Sequence, residues 1–255
     1  MILATGQDIT SASYTLGGDA AFNPDDLIDY TFDTLVVSGT VNNFWISFVC
    51  GDNQDYVAIA GHNLGTLGCQ LFIVNHGVQD VAGFLPQDDR PIMFAIPQRS
   101  GGAIDMQIRI VKQVVTDKVI ISHVATGKAT DLTSTTTQGQ VLLKDYEAGY
   151  SRIPMSLGRK SKSILNQSAA PTATLIKTVS QKLKLNISNV ATNFAQNELV
   201  GYQKFWTENA FFIQNDEDVT QTYMAMQFIP SPPKSHSQTR ELVNLSYSFT
   251  AYNGL

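Results

Sequence analysis

The sequence predicts a mainly all-β protein: a jelly-roll or β-sandwich N-terminal domain, then a β-rich C-terminal domain with one helix. Three observations predict it. Short Val-, Ile- and Phe-rich runs recur from residue 35 to residue 124, and Gly, Asn, Asp or Pro clusters separate most of them. Two segments, Ile104–Ile110 and Leu183–Ile187, alternate apolar with polar residues, the period of a strand with one wet face. A Thr-rich polar stretch, Gly127–Gln140, has Leu132 as its sole large apolar residue and reads as a boundary. The expected division is 1–128 for the jelly roll, 129–140 for the linker and 141–255 for the second domain.

In the first half the strand candidates are Leu35–Val37, Phe44–Cys50, Tyr56–Ala60, Cys69–Val74, Ile92–Ile96, Ile104–Val115 and Lys118–Val124. Such short strands with regular turn punctuation are the mark of a sandwich or jelly roll. Asn23–Asp29 is aspartate-rich and reads as an irregular loop or single helical turn. Between Tyr56–Ala60 and Cys69–Val74 stands Gly61-His62-Asn63-Leu64-Gly65, a shaped loop. Glycine reaches backbone angles that other residues resist, and Asn63 tolerates the left-handed region.

In the second half Lys177–Ile187 is a half-buried strand, with Leu183, Leu185 and Ile187 against Lys182, Lys184 and Asn186. From Val190 to Trp206 the apolar residues approximate one helical face, so a helix is expected there, capped by Ser188 or Asn189. Phe211–Gln214, Thr222–Phe228 and the alternating Leu242–Tyr252 complete the strands.

The chain has 255 residues, 43% hydrophobic and 15% charged, which suits a folded protein with a substantial core rather than a disordered one. No apolar run nears the roughly 20 residues of a membrane helix. The N-terminus lacks the basic start and apolar core of a signal peptide, so a soluble, cytosolically made protein is expected. Cys50 and Cys69 lie in apolar strands and read as two buried thiols rather than a disulfide or metal pair.

The net charge of −5 is unevenly spread. Eleven Asp and no Lys or Arg precede Arg90, whereas eleven acidic and all 17 basic residues lie from Arg90 onward. That is an acidic solvated surface, or head-to-tail complementarity between copies, as a ring of heterologous contacts would use. Nucleic acid is an unfavoured partner, because Arg152, Arg159, Lys160 and Lys162 form just one short basic patch.

The segment Asp55-Tyr56-Val57-Ala58-Ile59-Ala60-Gly61-His62-Asn63-Leu64-Gly65-Thr66 resembles a segment that recurs in tailed-bacteriophage virion proteins, where it sits inside a jelly-roll domain. The stretch Phe205–Ile213, followed by Tyr223-Met224-Ala225-Met226, is similar by pattern to the companion domain of such proteins. The resemblance implies a non-enzymatic structural component of the virion, on the tail, baseplate or fibre-attachment side. Its implied partners are further copies of itself and other virion proteins. On that reading, Thr130–Gly139 and Arg159–Pro171 are polar arms that order on assembly.

No catalytic constellation can be assembled from the chain, and no cofactor or metal is called for. His62 has no nucleophile-elbow serine such as GxSxG near it, and reads as a loop histidine bonded to backbone. His76 and His123 read alike. The carboxylates Asp25, Asp26, Asp29 and Asp33 resemble a calcium loop, but Val36 occupies the twelfth position, where an EF-hand needs a bidentate Glu. Asp88 and Asp89 read as exposed loop charges rather than a glycosidase pair. Trp45 alternates out of the apolar face of Phe44, Ile46 and Phe48, which leaves open packing under a loop, a subunit contact or a sugar platform. The second function class is therefore a carbohydrate-binding module for host surface glycans. The candidate interaction residues are Trp45, His62, Asn63, Arg152, Arg159, Lys160 and Lys162.

Overall fold

The computed structural model describes residues 2–4, 9–15, 35–37, 42–100, 104–114, 116–131, 155–165, 171–214, 219–230, 234–235 and 242–252. The Asn23–Asp29 loop with its carboxylates, the linker beyond Asp131, and Arg152 lie outside them.

Two antiparallel sheets form the N-terminal sandwich. The five-stranded sheet runs in the order β2 (Ile9–Thr15), β4 (Asn43–Cys50), β9 (Ile104–Val111), β6 (Gln70–Asn75), β7 (Val78–Phe84). The four-stranded sheet runs β3 (Leu35–Val37), β10 (Val119–Gly127), β5 (Tyr56–His62), β8 (Ile92–Ala95). The alternation of β4, β6 and β9 drives Ile46, Phe48, Leu71, Ile73, Met106, Ile108 and Ile110 inward, against Val57, Ile59, Val119 and Ile121 of the other sheet. Cys50 and Cys69 are buried thiols outside any disulfide, and burial pushes the Cys69 thiol up to about 11.

The third sheet is built mainly from the C-terminal half. Its order is β11 (Ala129–Asp131), β1 (Ile2–Ala4), β14 (Phe211–Gln214), β15 (Thr222–Pro230), β17 (Leu242–Tyr252), β13 (Pro171–Ala191), β12 (Met155–Leu165), with β16 (Lys234–Ser235) paired to β17. Here the expected division needs correcting. Ile2–Ala4 falls in the span expected for the jelly roll and Ala129–Asp131 in that of the linker, yet they pair with each other, and β1 also pairs with β14. The single helix expected over 190–206 is two: α1 (Thr192–Asn197) and α2 (Leu199–Glu208). Ser188 and Asn189, the expected caps, lie inside β13, because the strand bulges past Ile187 and keeps pairing with β17 to Ala191. Arg159–Leu165, expected within an arm that orders on assembly, is strand, paired with β13.

The layers are stacked. Strand β5 is buried on both faces: Val57 and Ile59 enter the sandwich core, whereas Tyr56, Ala58 and Ala60 enter the core shared with the third sheet. A strand covered on both sides reads as a continuous apolar run, as Tyr56–Ala60 does. On β14, Phe212 turns toward the sandwich and stacks on His123, with ring centroids 5.9 Å apart and planes 7° off parallel. Phe211 turns the other way and stacks on Trp206 of α2 at 5.2 Å. The protein is thus five-stranded sheet, four-stranded sheet, third sheet and helices, in that order. No helix among the described residues is long and apolar enough to cross a membrane.

Candidate functional site

The Gly61–Gly68 corner is a network of local commitments. Gly61 holds φ at +61°, a left-handed conformation that suits glycine. There the β5–β10 ladder skips a pair, from Ile121 against His62 to His123 against Ala60. The Asn63 side chain then prolongs the ladder: its Oδ1 accepts from Ile120 N at 2.8 Å and its Nδ2 donates to the Lys118 carbonyl at 2.9 Å. Leu64 plugs the sandwich core. Gly65 has no room for a side chain, since a Cβ would stand 2.3 Å from the Asp88 carbonyl oxygen. Thr66 donates its N–H to Asp89 Oδ1 at 2.9 Å and its hydroxyl to the other oxygen.

His62 is wholly buried in this corner. Leu64 N donates to its Nδ1 at 3.3 Å, so the ring proton sits on Nε2, which is buried near the Arg90 backbone and has no hydrogen-bond acceptor among the described residues. Desolvation lowers its pKa to about 4, although Asp89 and Asp88 pull the other way. His62 is a neutral, backbone-bonded histidine, with no ring surface for a partner to touch. Asn63 likewise has both ends of its amide engaged.

Asp88 and Asp89, weighed as an acid pair, are each tied to a neighbour. Asp88 pairs with Arg90 at 2.8 Å and Asp89 with Thr66. Among the described residues no three His, Cys, Asp or Glu converge as metal ligands would. Arg159, Lys160 and Lys162 are described in backbone alone, along β12 opposite Val179, Thr178 and Leu175 of β13.

A different cluster is assembled on the outer face of the five-stranded sheet. Arg109 of β9 is the register partner of Trp45 on β4 and of Phe72 on β6. The three side chains form one row across adjacent strands. The guanidinium carbon lies 5.2 Å from the Trp45 ring centre and 5.1 Å from that of Phe72, within cation–π range of both. Its Nε donates to Asn43 Oδ1 at 2.9 Å, which fixes the plane of the fork. On β7 beyond Phe72, Gly83 has φ at +66°, and even a Cβ there would come to 3.5 Å from the ring. Trp45 is half-buried and stacked on the Arg109 guanidinium.

The sequence singled out Trp45 from this row and missed Arg109 and Phe72. Phe72 is an aromatic residue at an outward position of an alternating strand, and that was the available signal. Arg109 could be linked to either ring through strand register alone.

No family model and no curated protein matches the chain. Solved structures similar to it include the following two. A pectin-binding carbohydrate-binding module, determined in a monoclinic crystal form, aligns at 14% identity and a TM-score of 0.37, over 48% of this chain and 93% of that one. A truncated AlyQ with CBM32 and alginate lyase domains aligns at 10% identity and a TM-score of 0.35, over 90% of this chain and 60% of that one.

Proposed function

We propose that the chain is a non-enzymatic structural component of a tailed-phage virion, on the tail, baseplate or fibre-attachment side, and that it works by multimeric assembly. The observation that carries this reading is the β12–β13 ribbon. Strand β13 is 21 residues long, yet β17 pairs with it from Gln181 onward and not before. Pro171–Ser180 therefore has β12 on one side and no strand on the other among the described residues. Ten residues of strand reach about 33 Å.

An unpaired strand edge is a template for another chain. Basic residues along such an edge disfavour pairing with an identical edge and favour an acidic neighbour. β12, the terminal strand of the sheet and so a second open edge among the described residues, carries Arg159, Lys160 and Lys162, while the segment before Arg90 supplies eleven Asp and no Lys or Arg. A second copy is thus the natural first neighbour, and other virion proteins would meet the remaining edges.

The test is light scattering on the full chain across a salt series, alongside a variant with Arg159, Lys160 and Lys162 all changed to Glu. The expected result is a discrete multimer at low salt that dissociates as salt rises, and a monomeric variant. A strict monomer at every salt concentration overturns assembly through the chain's own surfaces.

A second reading, recognition of host-surface glycans, is favoured by one observation: Trp45 stands in an ordered outward-facing stack. Indole faces packed on sugar rings are a common mode of saccharide binding.

A further inference from the structure

We propose that Trp45, Arg109 and Phe72 form a binding site for a carboxylate-bearing saccharide, a hexuronate, on the outer face of the five-stranded sheet. This rests on the glycan-binding reading and names its ligand class.

Arginine carries five N–H donors and cannot shed its charge. In Arg109 one of the five is spent on Asn43, and among the described residues the other four have no acceptor and the charge no acid partner. The contrast with its neighbours is internal to the same domain: Arg90 pairs with Asp88, and Arg99 with the largely buried Asp80 at 2.5 Å. A cation held rigid between two rings, with its terminal nitrogens unclaimed, is pre-organised for a planar bidentate acceptor, and a carboxylate is that acceptor.

The aromatics select the rest of the ligand. Trp45 and Phe72 flank Arg109 one strand away on either side, roughly 10 Å apart across two strand spacings. That span suits two sugar rings separated by one residue, with the carboxylate carried by the ring between them. Gln107, the half-buried register partner of Ser47 and Val74 in the next row, adds an amide for hydroxyl groups. Among the described residues no strand covers this face, which suits an extended chain.

Charge also argues for a small acid over an acidic protein. The segment before Arg90 carries eleven Asp and no base, so a broad acidic protein surface would be repelled across the whole domain. A single ring carboxylate on Arg109 feels chiefly that residue, since charges beyond about 8 Å are screened at physiological salt.

The experiment is calorimetric titration of the full chain with a hexuronate tetrasaccharide and with the neutral hexose tetrasaccharide of the same length. Arg109→Gln, Trp45→Ala and Phe72→Leu are titrated in parallel, and thermal melting confirms that each is folded. The expected result is preferential binding of the hexuronate, weakened about tenfold or more by Arg109→Gln. Binding of the neutral sugar should survive Arg109→Gln, and both aromatic variants should weaken both sugars. Equal binding of the two sugars, insensitive to Arg109→Gln, overturns the hexuronate assignment while leaving glycan binding standing. Binding of neither sugar overturns the glycan reading itself. Self-association abolished by Arg109→Gln would make this face a contact between copies and overturn the proposal.

Discussion

The indole N–H of Trp206 donates to the backbone carbonyl of Ala4 at 2.8 Å, across 202 positions of sequence. This bond ties the first strand of the chain to the second helix. Trp206 also stacks on Phe211 and meets Tyr247 edge-on, at centroid distances of 5.2 and 5.9 Å. Trp206→Phe should keep most of that packing and strand the Ala4 carbonyl, at a cost of about 1–3 kcal/mol. Trp206→Ala should cost about 3–5 kcal/mol. Urea midpoints would rank the two, and a Trp206→Phe midpoint equal to the parent's would mean that the hydrogen bond contributes nothing.

His62 makes the fold acid-sensitive. Its folded pKa of about 4 lies below its ordinary 6.5, so the unfolded chain binds the proton more readily. The stability that follows is complete above pH 6.5 and drains away as pH falls toward 4. By linkage the loss is about 3 kcal/mol. In His62→Gln the denaturation midpoint should vary less across that window than in the parent. An unchanged slope would place the acid sensitivity elsewhere.

Two glycines should respond in opposite directions. Gly65→Ala would drive a methyl into the Asp88 backbone, at a cost of about 1–3 kcal/mol. Gly201 lies within α2 with nothing within 4 Å of a built Cβ. Gly201→Ala should stabilise by about 0.5–1 kcal/mol. Thermal melts of both variants would check the pair.

Asn63→Ala removes two side-chain bonds, to Ile120 N and the Lys118 carbonyl. It should cost about 1–3 kcal/mol. Amide exchange at Ile120 should quicken well before global unfolding, and protection equal to the parent's would show that water replaces the amide.

Strands with a clear period were legible in the sequence. Ile104–Ile110 and Val243–Ala251 alternate without interruption; the strand expected over Ile104–Val115 ends at Val111, and the one expected over Leu242–Tyr252 has those bounds. Strand β7 was not seen, because Val78–Phe84 is an edge strand with no buried residue and so has no pattern to show. Ile2–Ala4 and Ala129–Asp131 are three residues each, too short for any period, and owe their structure to each other and to β14. The Gly61–Gly65 loop was legible as a shaped turn, but its inward histidine depends on Asp88–Arg90, more than twenty positions away. The outward row shows the same limit. Alternation tells which side of a strand is wet, and register across three strands decides that Arg109 stands between Trp45 and Phe72.

The pairing of Ala4 with Ala129 has one more consequence. The chain leaves the third sheet at Ala4, builds the whole sandwich, and returns at the adjacent position, about 5 Å away. The sandwich is therefore a cassette with a single doorway, and its removal would leave two neighbouring ends that a short turn could rejoin. A replacement must supply what this face now gives the third sheet, a ring for Phe212 in place of His123 and an acceptor for Gln214 Nε2 in place of the Met93 carbonyl. Heads of different specificity could be exchanged on one unchanging body, each entering by the same doorway.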